Sequence, residues 1–414
     1  MTCGRQKAPK HEGTKRTANT MKTVLAIVIS HSFNQAVFAG HRFLVAVYVV
    51  QQGAPPMVVG VLIALFSLAP VFFTVPVGKL VDRIGTRLPM QVSLALMTAA
   101  TLLPCFWPGL APLYITAPLV GGAFFGCYVG MSTLLNHYST PENRPGNFAR
   151  MSVGISVAQG LVPLVGGFSV DHLGYVPAFG MVTLYGLCSY LVFTLGGVKH
   201  IGPAEQRQAA TEKSVDKPAA KTRTLDLLRN RDLLSVFVFS TLFILAWDIF
   251  LVMMPIYGTQ LGLTASQMGV VMSTYGLASF AVRVAGPWLS RRYSPWQLMH
   301  ISLVMCAVST VVFGMLSAMP LLLVCAFVMG MGQGIGSPMS SAAMYEVAPK
   351  ERVGEALGVR MSLGMAAQTV LPLGVGAMGA LLAAAPIFWV SGLILFGGVV
   401  TERGQWKRKR PGTS

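Results

Sequence analysis

The chain has 414 residues, of which 53% are hydrophobic and only 11% charged, yet its formal net charge is +17. A typical soluble domain carries roughly 25% charged residues, so the composition excludes a disordered chain and argues against an ordinary soluble enzyme. Two classes of protein remain. The charge favours a nucleic-acid-binding protein, the apolar excess favours a multi-span membrane protein, and the positions of the charges decide between them.

Twelve apolar segments approach the length of about 20 residues that a helix needs to cross a bilayer. Their continuous apolar character is unlike the alternating strands of a membrane barrel. The predicted spans are 23–50, 57–77, 89–107, 112–135, 151–170, 176–197, 233–256, 266–286, 298–317, 321–345, 360–380 and 384–401. The sequence therefore predicts an all-α membrane protein with twelve transmembrane helices.

Polar segments divide the spans into two groups of six. The predicted organisation is a basic tail (1–22), a first six-helix bundle (23–197), a linker (198–232), a second six-helix bundle (233–401) and a second basic tail (402–414). The first twenty residues lack the apolar stretch of a cleavable signal peptide, and Met21 is an alternative start to Met1.

The basic residues give the orientation of the bundle. With the first tail inside, all but two of the 31 Lys and Arg residues fall in the tails, the linker and the inside loops. Lys and Arg accumulate on the cytoplasmic side of membrane proteins. We therefore expect a multi-pass protein of the cytoplasmic (inner) membrane with both termini in the cytoplasm, and no nucleic-acid partner. The two exceptions, Arg42 and Arg283, lie within spans.

No cofactor or metal site is expected. The six cysteines have neither metal-ligand spacing nor the pattern of a disulfide framework, and five of them lie in spans, where they act as small packing residues. A phosphate-binding glycine-rich loop is also missing from the sequence. The energy for transport would then come from an ion gradient or from the solute.

The two halves of the chain repeat each other. Residues 150–154 match residues 360–364 at an offset of 210, and Ala158-Gln159 matches Ala367-Gln368 at 209. Colinear matches at a nearly constant offset indicate a parallel duplication. Transporters built this way have their substrate site near the midplane, between the halves.

The segment between the second and third spans carries a family resemblance. It reads GKLVDRIGTR, with Gly78, Asp82, Arg83, Gly85 and Arg87 at the positions of a glycine, an Asp-Arg pair, a second glycine and a basic residue. This closely resembles the signature of the major facilitator superfamily (MFS). The resemblance implies two pseudo-symmetric six-helix bundles, alternating access, and a gating loop that stabilises one access state. Alternatively, Arg83 and Arg87 only mark the cytoplasmic face.

The fifth span resembles, incompletely, the antiporter motif of that family. Pro163, Gly166 and Gly167 are kept, whereas Ala158 and Val162 stand where the motif has glycines. Pro372 occupies the corresponding place in the eleventh span. These residues are expected to bend helices and permit close packing. An export function and a generic packing face both remain open.

Polar side chains within the spans are the candidate site, because an ionisable group in a membrane is costly and is a functional hypothesis by default. The first span places His31, Gln35 and Arg42 on one helical face, with Asn34 on an adjoining stripe. The seventh span carries Asp248 beside Trp247. Tyr128 on the fourth span and Gln333 on the tenth are further candidates, and the resemblance implies that helices 1, 4, 7 and 10 line the cavity.

The hypothesis is that Asp248 and His31 exchange protons, while Arg42, Gln35, Asn34, Trp247, Tyr128 and Gln333 contact the solute. Alternatively, Asp248 and Arg42 form a structural pair between the halves, and His31 bonds a neighbouring carbonyl. His41 is expected to face the headgroups. Arg283 is interpreted as structural, near the cytoplasmic end of its helix and within reach of the interface.

The leading interpretation is a secondary active transporter of a small organic solute, proton-coupled and with a preference for efflux by antiport. The alternative is proton-coupled uptake of an organic anion. A non-transporting receptor or scaffold is a third possibility. Enzyme chemistry is not expected, because the spans hold one acid and no cluster of nucleophile and base. The expected partners are the solute, protons and the lipid bilayer, and the protein is expected to be a monomer.

Overall fold

A computed structural model of the chain describes residues 10–140, 143–196, 227, 229–349, 352–381 and 384–401. It gives no account of the side chains of 10–20, 73–79, 81–82, 145, 287, 353–354 and 380–381. Most of the predicted linker and the outer parts of both predicted tails therefore lie outside the described residues.

The described residues form twelve helices and no strand. The helices are α1 (Lys10–Gln51), α2 (Pro56–Ile84), α3 (Arg87–Phe106), α4 (Ala111–His137), α5 (Arg144–Leu173), α6 (Tyr175–Leu195), α7 (Arg231–Gln260), α8 (Ala265–Arg292), α9 (Pro295–Phe313), α10 (Met319–Val347), α11 (Val353–Leu381) and α12 (Ala384–Thr401). Within the described part, 11 helices are long and apolar enough to cross a membrane, and α2 contributes a shorter apolar stretch, Pro56–Phe72. The predicted all-α membrane fold is confirmed.

Most helices extend beyond the apolar stretch that predicted them. The sequence locates hydrocarbon-facing residues, but a helix continues past the hydrocarbon until a cap or turn ends it. Thr264 and Gln267 form a capping box that begins α8, and Ser294 with Gln297 does the same for α9. Gly174 separates α5 from α6 with φ 87°, a left-handed conformation that favours glycine. The twelfth predicted span, 384–401, coincides with α12.

Two seams join the first six helices to the last six. At one seam α5 packs against α8, and at the other α2 packs against α11. A Cβ at Gly276 of α8 would meet the backbone of Gln159 and Gly160, and one at Gly60 of α2 would meet the backbone of Pro372. Small residues at these positions let the backbones touch, which is how helices pack tightly in lipid.

The two ends of the bundle differ in how closely the halves approach each other. We call the end where α5 ends and α8 begins the far side, and the end where α1 begins and α12 ends the terminal side. On the far side the Asp171 carboxylate of α5 accepts hydrogen bonds from the backbone N–H groups of Ala265 and Ser266 at the start of α8, at 3.2 and 2.7 Å. On the terminal side a Cβ at Gly286 or Gly358 would meet nothing within 4 Å. The halves are therefore closed on the far side.

Candidate solute-binding cavity

A cavity of about 420 Å³ lies between the two halves. That volume is in the range of pockets that hold small organic ligands. Residues from α1, α4, α7 and α10 line it, as the family resemblance implies, and α5, α8 and α11 also contribute. Seven helices from both halves thus meet at one central space.

Most of the side chains proposed as solute contacts line this cavity. They are Gln35, Arg42, Tyr128, Trp247 and Gln333, and Pro163 lies on the same surface. Asn34 is not part of the lining. It is buried on α1, and neither its amide oxygen nor its amide nitrogen has a hydrogen-bond partner among the described residues.

Arg42 and Asp248 form an ion pair between the halves. The Arg42 Nη2 atom lies 3.2 Å from Asp248 Oδ1, and the two side chains are 4% and 0% exposed. The guanidinium carbon also lies 5.4 Å from the ring centroid of Phe38 and 6.0 Å from that of Phe66. The pair joins α1 to α7, so the contact that was left open as a structural pair is present.

Part of this ion pair remains unsatisfied. The second carboxylate oxygen of Asp248 and the Nε atom of Arg42 are buried, and neither has a hydrogen-bond partner among the described residues. Buried charges are stable when all of their donors and acceptors are paired. An incompletely bonded pair is easier to separate, or to neutralise with a proton, than a complete network.

The two histidines of α1 differ in their surroundings. His31 is fully buried, its ring lies 5.5 Å from that of Tyr128, and neither ring nitrogen has a hydrogen-bond partner among the described residues. The alternative bond from His31 to a neighbouring carbonyl is therefore absent from the described structure. His41 does not face headgroups. It is fully buried and lies 3.0 Å from the Thr116 hydroxyl of α4.

Arg283 lines the cavity and contacts α5 of the other half, so the interface contact expected for it is present and its structural interpretation stays open. Its Nη1 atom donates to the Ser156 hydroxyl of α5 at 2.8 Å, with Ser152 at 3.5 Å, and its buried Nε atom has no partner in the described structure. The predicted span stopped at 286, which placed Arg283 near the membrane surface. Because α8 continues to Arg292, Arg283 lies about two turns inside the helix end.

Arg360 is the residue that sequence reasoning missed. It was counted with the inside loop because the predicted eleventh span starts there, but α11 begins seven residues earlier, at Val353. Its guanidinium donates to Ser240 of α7 and to Ser340 and Ser341 of α10, at 2.9, 2.9 and 2.7 Å. The internal repeat pairs Arg360 with Arg150, but Arg150 was also assigned to an inside loop, so the repeat gave no signal that either residue lies in a helix.

The cavity carries more positive than negative charge. Three arginines line it. Of these three, Arg42 alone is paired with a carboxylate among the described residues. Arg283 and Arg360 are held by serine hydroxyls, which orient a guanidinium without neutralising it. An arginine has five N–H donors, so both keep donors for a ligand.

Three of the helix-bending candidates, Pro163, Gly167 and Pro372, lie in the seams between the halves, and Gly166 packs against α1 of its own half. A Cβ at Gly167 would meet the backbone of Ala265, one at Gly166 would meet the Phe43 ring, and the carbonyl oxygens of Pro163 and Pro372 stand against Gly269 and Gly60. Packing accounts for the glycines of the partial antiporter motif without reference to the direction of transport.

Only part of the segment predicted as a gating loop lies between helices. Gly78, Asp82 and Arg83 belong to α2, which ends at Ile84. Gly85 has φ 84° and, with Thr86, makes the turn into α3, while Arg83 and Arg87 are exposed. The surroundings of Gly78 and the Asp82 side chain lie outside the described residues, so gating by this loop stays a prediction.

Comparison with known families identifies one family model. Residues 24–319 and 236–411 match the model described as Major Facilitator Superfamily. Within the described residues, no group of three or more His, Cys, Asp and Glu side chains could hold a metal ion.

Two curated relatives share parts of the sequence. A probable sulfoacetate transporter, SauU, of Cupriavidus necator is 27% identical over 118 residues, 28% of this chain and 27% of that protein. An uncharacterized MFS-type transporter of Schizosaccharomyces pombe is 26% identical over 168 residues, 40% of this chain and 36% of that protein. The chain thus spans about a quarter and about a third of the length of these relatives.

Solved structures with the same fold cover nearly the whole chain. A peptide transporter POT in complex with sulfate has a TM-score of 0.71 at 17% identity, covering 94% of this chain and 96% of that one. The nucleoside transporter NupG has a TM-score of 0.72 at 14% identity, covering 93% and 98%. At these identities the likeness concerns the fold alone.

Proposed function

The chain belongs to the Major Facilitator Superfamily and is a secondary transporter rather than an enzyme, and on that premise we propose that it carries a small organic anion together with protons. The observation that carries this proposal is the pair of cavity arginines, Arg283 and Arg360, that have no carboxylate partner among the described residues. Both side chains are partly buried, and a cation that is held away from water without a counter-charge is costly. An anionic solute would supply the missing charge.

The proposed ligand chemistry agrees with the geometry of the arginines. A guanidinium binds a carboxylate or a sulfonate through paired N–H donors, which a single ammonium group cannot do. The sulfoacetate named for the relative from Cupriavidus necator carries both kinds of acid group. That similarity covers 28% of this chain and supports the anion proposal without naming the solute.

Proton coupling is assigned to Asp248. Its carboxylate holds Arg42 across the halves, and a proton on it would remove one of the two charges that hold α1 to α7. The weaker contact would let the far side open. Once solute is bound, transfer of the proton from Asp248 to His31 would let the pair re-form and close that side again, and the proton would then leave on the terminal side with the solute. His31, adjacent to Tyr128, is proposed as a second proton site on the terminal side of the pair.

The proposed direction is uptake. By the positive-inside rule the terminal side is cytoplasmic, so the closed far side would face outward, and in an uptake cycle this is the state that releases solute into the cell. Anion uptake is opposed by an inside-negative potential at about 2.3 kcal/mol per charge per 100 mV, which co-transported protons offset. Efflux by antiport is the alternative, and it rests on the incomplete motif of α5.

Flux measurements test the proposal. The purified protein in proteoliposomes is supplied with labelled sulfoacetate or succinate, with and without an inward proton gradient. We expect uptake that the gradient accelerates, that falls strongly in Arg360→Gln, and that loses its gradient dependence in Asp248→Asn. Anion binding without flux would contradict transport and support a receptor or scaffold. Outward exchange against protons, without gradient-driven uptake, would support efflux.

A further inference from the structure

The two unpaired arginines of the cavity stand on different walls. Arg283 lies on α8, at the seam with α5, and is held by Ser156 of that helix. Arg360 lies on α11, the helix of the other seam, and is held by serines of α7 and α10. Helices α7 and α10 therefore stand between the two arginines around the cavity wall.

Each arginine is positioned for a separate acidic group. Three donors of Arg360 bond serines, which leaves two of its five N–H groups for a ligand. Arg283 uses only its Nη1 atom in hydrogen bonds, so its Nε and Nη2 groups remain. A ligand with a single carboxylate would have to pair with guanidiniums that are held on two different helices, α8 and α11. The serine hydroxyls hold both guanidiniums in place.

The charge of the site also predicts two acidic groups on the ligand. The Arg42 charge is balanced by Asp248, while Arg283 and Arg360 leave two positive charges uncompensated among the described residues. Gln159 and Gln368 complete the polar lining, and an amide accepts or donates hydrogen bonds without adding charge. A ligand that neutralises this site carries two negative charges.

We infer that the solute is a small dianion with an acid group at each end, one bound by Arg283 and the other by Arg360. This inference rests on the proposed anion transport and makes it more specific. The aromatic and apolar wall residues Phe124, Trp247 and Met365 would contact the short carbon segment between the acid groups. A monoanion of the same length would leave one guanidinium unpaired and would therefore bind more weakly.

The test compares two ligands that differ by one charge. Succinate and its monoamide, succinamate, share a carbon skeleton, and near pH 7.5 they carry two charges and one. Binding to the full-length protein in detergent is measured by ligand-induced thermal stabilisation. We expect succinate to bind about tenfold or more tightly than succinamate, the effect of one charged hydrogen-bonded group.

Substitutions assign each charge to an arginine. In Arg283→Gln and in Arg360→Gln we expect the preference for succinate to disappear while succinamate still binds; the double variant binds neither. Arg291→Gln, an exposed residue on the same helix as Arg283, is the matched control and keeps the preference. Arg360→Lys, which keeps the charge, retains part of it. Ligand-free melting temperatures identify variants that fold poorly.

The outcomes separate this inference from the proposed function. Equal binding of succinate and succinamate by the unaltered protein would overturn the dianion and leave anion transport standing. Loss of both ligands in each single variant would overturn the assignment of one acid group to each arginine. If neither ligand, nor any other small carboxylate or sulfonate, binds or moves across proteoliposomes, the proposed function itself fails.

Discussion

At the scale of single residues, the Arg42–Asp248 pair is a contact whose disruption would lower the stability of the protein considerably. Both side chains are buried, and a buried charge that loses its partner costs about 3–5 kcal/mol. Replacing both charges with apolar groups of similar volume is often neutral, because the desolvation penalty disappears with the charges. The pair is therefore weak evidence for a stabilising role and fits better with a contact that opens and closes.

Single and double substitutions distinguish the two roles. Asp248→Leu alone should lower the apparent melting temperature, because it leaves Arg42 charged and buried. Arg42→Met with Asp248→Leu should restore most of the melting temperature but not the pH dependence of transport. Thermal unfolding and proteoliposome flux at several pH values check this. Proton-stimulated transport by the double variant would remove Asp248 from the coupling mechanism.

At the scale of helices, the far-side ends of α5 and α8 are joined by Asp171. This carboxylate accepts the free N–H groups that begin α8, where the helix dipole also favours a negative charge. The cap differs from the others described for the chain because it comes from the opposite half. It favours the closed far side, since separating the halves would leave those N–H groups without their acceptor.

Removal of this cap should shift the conformational equilibrium. We expect Asp171→Ala to increase labelling of a cysteine introduced at Met272, on the cavity wall, by an impermeant maleimide applied from the far side. The control is Ser294→Ala, which removes the N-cap of α9 within one half. The loss of such a cap lowers stability by about 1 kcal/mol. Equal labelling in both variants would show that Asp171 only stabilises α8.

The α2–α11 seam gives a second prediction at this scale. A Cβ at Gly60 would meet the backbone of Pro372 and Gly376, which cannot yield as a side chain can. Gly60→Ala should therefore lower the apparent melting temperature and loosen the far side. Gly374→Ala on α11, where a Cβ would meet nothing within 4 Å, is the matched control and should have little effect. Equal effects of the two variants on unfolding would contradict close packing at this seam.

At the scale of the whole molecule, the access state and the distribution of charge make one joint prediction. The far side is closed, and the segments between helices on that side hold no Lys or Arg, whereas the terminal side is rich in both. If the terminal side is cytoplasmic, solvent should reach the cavity from the cytoplasm in the state described.

Cysteine labelling in oriented vesicles checks this orientation. A cysteine introduced at Met361, which is 49% exposed on α11, should react with an impermeant reagent in inverted vesicles and not in intact cells. A cysteine at Trp107, 52% exposed between α3 and α4, should show the opposite pattern. Reversal of both patterns would contradict the assigned orientation, and the state described would then be open to the outside.

The sequence by itself determined the fold class, the number of helices and most of the cavity candidates. The length of an apolar segment predicts a membrane-spanning helix directly, and glycine and proline predict positions of close packing. Both can be read from the sequence because each depends on residues that are neighbours in the chain. Gln35, Arg42, Tyr128, Trp247 and Gln333 were selected because each is a polar or aromatic residue placed by its position in a span on a face of a central helix.

Only the tertiary structure decided which charges are paired. Asp248 and Arg42 meet although they are 206 positions apart, and that contact depends on how α1 and α7 pack. Arg360 looked like a marker of the membrane surface, because the predicted span starts at this charge while α11 begins seven residues earlier, and Arg283 was expected near the end of its helix. Their place on the cavity wall follows from the length and packing of α8 and α11, and no local pattern contains that information.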